Sequence, residues 1–128
     1  TNFYKGKAGL KTVFEDQLNY KELFIIGASS EPYESLKFYF DWYVKRRQKK
    51  KIKIKAIAFE PIKDPISIAN IKYLPKEYAS PLSINIYGDK VALILWGKEK
   101  PMAIVIKNHE FSDAYRQYFE LMWDISKY

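Results

Sequence analysis

The sequence of 128 residues contains no cysteine and a single histidine. Without cysteine there is no disulfide and no thiolate metal ligand, and one histidine cannot build a His-rich metal centre. No metal or other cofactor is therefore expected. The familiar Cys–His nucleophile pair is excluded as well. No apolar run approaches about 18 residues, so no membrane-spanning helix and no membrane partner is expected. A secretory signal peptide is also missing. A reduced, cytoplasmic setting fits these absences. The chain opens on Thr1 rather than methionine, which suggests a fragment or processed product with a neighbouring domain upstream.

What is present is apolar and aromatic. Hydrophobic residues make up 48% of the chain, too many for a disordered one. The length suits one domain, residues 1–128, that buries roughly two thirds of its unfolded surface. The formal charge of +7 is local. Lys45, Arg46, Arg47, Lys49, Lys50, Lys51, Lys53 and Lys55 carry more than all of it, with no acid among them. The rest of the surface is close to neutral.

The chain is organised around Ser83 to Trp96. Ile84 and Ile86 alternate with Ser83, Asn85 and Tyr87, the period of a strand with one buried face. Gly88-Asp89 supplies a hairpin turn. Val91 to Trp96 is continuously apolar, as in a strand covered on both faces at the centre of a sheet. Before this hairpin come a short strand at Phe3 to Lys5 and a helix to about Leu18. A buried strand at Leu23 to Ile26 and a helix from Tyr33 to Lys50 follow. Ile52 to Phe59 is a third strand. Ser30 fits the N-cap of the second helix, with Pro32 in its first turn. Between Pro61 and Pro81 four prolines break regularity. There Asp64 to Ala69 suits a helical turn and Ile71 to Leu74 an edge strand. Such a long connection is often a lid or binding loop. Met102 to Ile106 is a further strand. Asn108 then caps a last helix, with Phe111, Tyr115, Tyr118, Phe119, Met122 and Ile125 at helical spacing. Two leading βαβ units followed by antiparallel strands predict an α/β domain with a mixed, partly parallel sheet and helices on both faces.

Candidate sites follow from this order. Ligands in parallel sheets bind beyond the carboxyl ends of strands. Lys5, Ser29, Ser30 and Glu60 are expected to share that end. The small residues give room, the hydroxyls bond a polar ligand, and Glu60 accepts from sugar hydroxyls or an amine. The plainer alternative leaves Ser30 as a cap alone. On the second helix, Leu36, Tyr39, Phe40, Tyr43 and Val44 form the core stripe. Phe38 and Trp42 fall on the far side, as a subunit or interdomain contact would require; cover by a loop or the last helix is the alternative. The basic patch Lys45, Arg46, Arg47, Lys49, Lys50, Lys51 is read first as a solvated face and second as a phosphate-binding one. Gly6 and Gly9 mark a tight helix entry rather than a nucleotide fingerprint. His109, Glu15, Asp16, Asp113 and Glu120 read as exposed helix residues.

Five segments then suggest a family. Phe3-Tyr4-Lys5-Gly6-Lys7-Ala8-Gly9, Ile25-Ile26-Gly27, Leu74-Pro75, Ile86-Tyr87-Gly88-Asp89-Lys90-Val91 and Phe119-Glu120-Leu121-Met122-Trp123 stand in an order that resembles the C-terminal effector domain of TrmB-like transcriptional regulators, best known from archaea. The resemblance implies a phospholipase D-like fold, a homodimer, a small-molecule effector and an upstream winged helix-turn-helix domain that carries the DNA contact. Phospholipase D-type enzymes use His-x-Lys-x-x-x-x-Asp, in which the His attacks phosphorus and the Lys holds phosphate oxygens. With Asp89 as the motif's aspartate, the other two positions are Leu82 and Ile84. Neither supplies a nucleophile or a cation, so the resemblance implies no catalytic residue and no enzyme. The family's sugar sensors carry a further region after this domain, and with the chain closing at Tyr128 a sugar effector is not expected.

The leading expectation is thus a non-catalytic ligand-sensing or dimerisation domain of a transcription regulator. The alternatives are a phospholipase D-like phosphodiesterase or nuclease, and a direct nucleic-acid-binding module using the 45–55 basic run.

Overall fold

A computed structural model describes residues 1–62, 70–97 and 99–128. The helical turn expected at Asp64 to Ala69 lies outside them. The elements are β1 (Asn2–Lys5), α1 (Gly6–Gln17), β2 (Glu22–Ala28), α2 (Glu31–Lys49), β3 (Lys53–Ala58), β4 (Asn70–Tyr73), β5 (Leu82–Tyr87), β6 (Lys90–Leu95), β7 (Met102–Lys107) and α3 (His109–Ile125). Seven strands form one sheet in the order β1-β7-β6-β5-β2-β3-β4. Strands β2, β3 and β4 are parallel, and every other pairing is antiparallel. The α/β, mixed-sheet architecture is as the sequence predicts, and β5 lies at the middle of the sheet.

The leading pair of βαβ units needs correction. β1 does not neighbour β2; it pairs antiparallel with β7 at the far edge. The block β5-β6-β7 stands between them, so α1 crosses three strands. Through the chain of pairings β1 still runs the same way as β2, because four antiparallel steps restore the direction.

Two layers cover the sheet. On one face α1 and α2 pack Leu10, Val13, Phe14, Leu36, Phe40, Tyr43 and Val44 against Leu23, Ile54, Ala56, Ala92 and Ile94. On the other, α3 packs Phe119 and Trp123 against Ile26, Ile57 and Ile86. α3 starts where expected: the Asn108 carboxamide oxygen accepts from the Phe111 N–H at 3.0 Å. Ser112 and Arg116 donate to the Gly88 carbonyl, at 3.0 and 2.8 Å, and anchor the helix to the β5–β6 turn. Its other end meets the edge strand, where Tyr73 and Lys127 exchange backbone hydrogen bonds.

The faces of β5 differ from the alternation read in the sequence. Ser83, Asn85 and Tyr87 are all buried, while Ile84 is only half-buried. The polar side chains sit under α1 and α2 because they have partners there. Asn85 Nδ2 donates to Ser83 Oγ at 3.1 Å, Gln17 Nε2 to Asn85 Oδ1 at 3.2 Å, and Tyr43 OH to Gln17 Oε1 at 2.7 Å. A satisfied polar group is tolerated in a core; an orphaned one costs about 1–3 kcal/mol. Nor is β6 covered on both faces throughout. Leu93 is half-buried and Leu95 is exposed.

Candidate functional site: a cleft at the strand ends

At the end of β2 a register shift falls between Ile26 and Ala28. Gly27 makes it, with φ +84°. This bulge reverses the alternation. Ile26 packs toward α3, whereas Ala28 joins the core beneath α1 and α2. The chain then turns through Ser29 and Ser30 into α2. The hydroxyl accepting from the first turn is that of Ser29, from Glu31 N–H at 3.2 Å. Ser30 occupies the N-cap position without that bond.

Beyond these strand ends lies an open cleft of about 500 Å³. Ser29, Ser30, Glu31, Glu34, Glu60 and Ser80 give it polar walls, with Trp96 at its base. The Trp96 N–H donates to the Pro81 carbonyl at 2.8 Å, which ties the end of β6 to the approach of β5. Ser29, Ser30 and Glu60 thus come together as the sequence suggests. Lys5 does not. It ends β1, four strand spacings from β2, or about 19 Å at normal sheet spacing. Glu31, Glu34 and Trp96 had not been singled out. Acids in a first helical turn look like partners of the helix dipole, and only the approach of Glu60 gives them a second aspect.

Behind Ser29 and Trp96, which line both spaces, is a cavity of about 40 Å³ between α1, α2 and the sheet. Its polar walls are Gln17, Tyr43, Ser83, Asn85 and Arg47. Arg47 is 3% exposed, so this member of the predicted basic patch points inward. Its guanidinium lies 5.3 Å from the centre of the Tyr43 ring. Burial pushes the Tyr43 hydroxyl's pKa up.

Arg46 is also engaged. It bonds both carboxylate oxygens of Glu15 and stacks at 3.7 Å on Trp42. Hydrogen bonding to Arg46 holds the Glu15 carboxyl below its usual range. Glu15 also accepts from Tyr39 OH at 2.6 Å, and Asp16 pairs with Lys90 at 2.6 Å. These two acids are therefore structural links, not idle surface groups. Lys45, Lys49, Lys50 and Lys51 remain exposed. Phe38 is 88% and Trp42 57% exposed, on the outer side of α2 as expected. His109 is exposed, with Nε2 3.0 Å from Asp113 Oδ2.

Of the positions matched to the phosphodiesterase motif, Leu82 and Ile84 lie on the α3 face at the cleft end of the sheet, and Asp89 lies at the opposite end. Leu82 begins β5, Ile84 follows two residues on, and Asp89 sits in the hairpin turn. The register carries Ile84 to Leu93, Ile104 and Phe3, and Leu82 to Leu95 and Met102. These residues form an apolar sheet face that α3 leaves open. Leu82 and Leu95 are 39% and 40% exposed, and Phe3 is exposed too. Among the described residues no group of three or more His, Asp or Glu side chains is arranged to hold a metal ion.

No family model matches the sequence, and no curated protein matches it significantly. Solved structures do resemble it. NucT from Helicobacter pylori superposes with a TM-score of 0.72 at 12% identity, covering 98% of this chain and 96% of that one. Nuc from Salmonella typhimurium, a phospholipase D family member, gives 0.68 at 12% identity, with 98% and 95% covered. TrmBL2, an archaeal chromatin protein described with a novel mode of DNA binding, gives 0.67 at 13% identity. There the match covers 98% of this chain but 53% of the other, so the chain spans about half of that protein. At these identities the likeness establishes the phospholipase D-like fold and no more.

Proposed function

We propose that this chain is a non-catalytic domain that senses a small ligand and pairs with a second copy of itself, as the effector half of a TrmB-like, DNA-binding transcription regulator. One observation carries the reading. The positions matched to the attacking His and the phosphate-holding Lys are Leu82 and Ile84, and both belong to a continuous apolar sheet face. A hydrocarbon surface offers phosphate no nucleophile and no cation. It does offer a partner a dry contact.

That face suits a second copy better than the outer side of α2 does. A two-fold contact places each patch against itself. Phe38 and Trp42 share their helical stripe with Lys45 and Lys49, so two such stripes would oppose like charges. The sheet face from Phe3 to Leu82 carries one charge, Lys5, and only at its outer corner, where Lys5 pairs with Met102. The cleft at Ser29, Ser30 and Glu60 is the sensing site, and a ligand preferring one arrangement of the pair would shift the balance between arrangements. Contact with DNA belongs to a domain outside this chain.

Two measurements test this. Hydrolysis of bis(p-nitrophenyl) phosphate and of plasmid DNA should not exceed the blank; turnover that co-purifies with the chain sinks the non-catalytic reading. Sedimentation velocity should find a dimer that dissociates in Leu82→Glu/Leu95→Glu, while Trp42→Ala leaves it intact. The reverse pattern moves the contact to α2.

A second reading has its own support. Phe38 and Trp42, followed by Lys45 and Lys49, set two rings and then two cations along one helix face, the makings of a nucleic-acid contact. Lys45→Gln/Lys49→Gln/Lys50→Gln would then lower the salt slope of DNA binding by about 2–3. An unchanged slope removes this reading.

A further inference from the structure

The outer faces of α2 and α3 complement each other. On α3, Phe111, Tyr118, Leu121 and Ile125 are each more than half exposed. Their spacing sets them on one apolar stripe along a helix about 25 Å long. Glu110 and Asp124, fourteen residues apart, border that stripe on one side. Both are exposed, and among the described residues neither has an ion pair. The helix carries four acids against Arg116, a net −3 with His109 neutral, in a chain of +7. On α2, Phe38, Trp42, Lys45 and Lys49 point outward in one line of about 16 Å, with Asp41 the one acid beside them. Each face repels a copy of itself. Two α3 helices set −3 against −3, and two α2 lines set lysines against lysines. Within one chain the two helices cannot meet, because they cover opposite faces of the sheet.

We propose that α3 of one copy is the docking surface for α2 of the next, head to tail. The Phe38 and Trp42 rings lie on the apolar stripe of α3. At the oblique crossing common for packed helices, about 50°, Lys45 and Lys49 leave the stripe and pass over its acidic border. The contact is heterologous. Every copy keeps a free α2 on one side and a free α3 on the other, so copies close a ring or extend an open row. This contact is separate from the two-fold sheet contact, and a pair joined by its sheet faces offers two of each surface. One helix laid on another covers less than the roughly 800 Å² per partner of a standard interface. The association is therefore weak, and it shows near millimolar protein at low salt.

The test is complementation. Light scattering follows the size of the whole chain from about 10 µM to about 1 mM protein at low salt. The unchanged chain should grow beyond its dilute size as concentration rises. Phe38→Ser/Trp42→Ser removes the rings of α2, and Tyr118→Ser/Leu121→Ser removes the stripe of α3. All four positions are more than half exposed, so folding is not threatened. Each variant alone should stay at the dilute size. The two mixed should associate again, since one brings a working α3 and the other a working α2, and that recovery shows both to be folded. Lys45→Glu/Lys49→Glu should weaken growth at least about ten-fold, and adding Glu110→Lys/Asp124→Lys to the same chain should restore it. An unchanged chain that stays at its dilute size overturns the proposal. So does a variant that still grows alone, or a mixture that does not recover. Growth that only Leu82→Glu/Leu95→Glu abolishes belongs to the two-fold sheet contact, and it too overturns the head-to-tail one.

Discussion

Gly27 shows how much one residue decides. A Cβ there would come within 2.6 Å of the Leu82 carbonyl oxygen, at a φ that side-chain-bearing residues rarely adopt. The obstacle is backbone of the central strand, which cannot swing aside. Gly27→Ala should therefore cost about 2–3 kcal/mol in urea denaturation. A loss below about 0.5 kcal/mol would mean that the bulge relaxes freely. Glu15 decides something different. Its carboxyl is held below the usual range by Arg46, so its contribution is present above pH about 4.5 and fades as pH falls through the depressed value. Glu15→Gln should flatten the acid limb of stability between about pH 5 and 3. Because the pair is partly exposed, the loss at neutral pH should stay near 0.5–1 kcal/mol. An unchanged acid limb would show that the α1–α2 link does not form in solution. Sequence reading placed Glu15 on the surface correctly, but its partner is on another helix and no spacing rule reaches it.

At the scale of elements, α3 separates what periodicity can say from what it cannot. Its apolar residues recur at helical spacing, and the helix forms with the cap expected at Asn108. Yet they fall on two sides. Phe119 and Trp123 are buried against the sheet, while Phe111, Tyr118, Leu121 and Ile125 face outward. Phe119→Ala should cost about 3–5 kcal/mol. Leu121→Lys should stay within about 0.5 kcal/mol. Equal losses on chemical denaturation would show that the outer stripe is covered in the isolated chain. The helix was legible because 3.6-residue spacing is a local property. Which stripe meets the sheet was not, because two apolar stripes on one helix satisfy the same pattern. α2 makes the same point with charge. Lys45 to Lys51 reads as one basic run, but Arg47 lies on the buried stripe with Tyr43 and Val44.

For the whole molecule, the sheet order sets where chemistry is absent and where a ligand fits. Placing β5-β6-β7 between β1 and β2 carries Lys5 away from the cleft and brings Leu82, Leu95 and Phe3 onto one open face. A pair held by that face should melt at a temperature that rises with protein concentration, since association stabilises only the folded partners. In Leu82→Glu/Leu95→Glu the dependence should vanish while the monomer stays folded. A concentration dependence that persists in that variant would assign pairing elsewhere.

The sequence alone determined the α/β class, the hairpin at Gly88-Asp89, the start of α3 and the gathering of Ser29, Ser30 and Glu60 beyond neighbouring strands. The hairpin and the helix start follow from residues close in the chain, whose turn and cap chemistry acts over a few positions; the class and the gathering follow from the order of elements, because a strand–helix–strand unit sets the ends of two parallel strands side by side. Tertiary structure alone decided that Ser83 and Asn85 point into the core, that Arg47 is buried beside them, and that β1 closes the far edge. Those outcomes depend on partners such as Gln17, 68 residues from Asn85 along the chain. Hydrogen-bond satisfaction across that distance, and the competition of seven strands for neighbours, exist only once the chain has closed on itself.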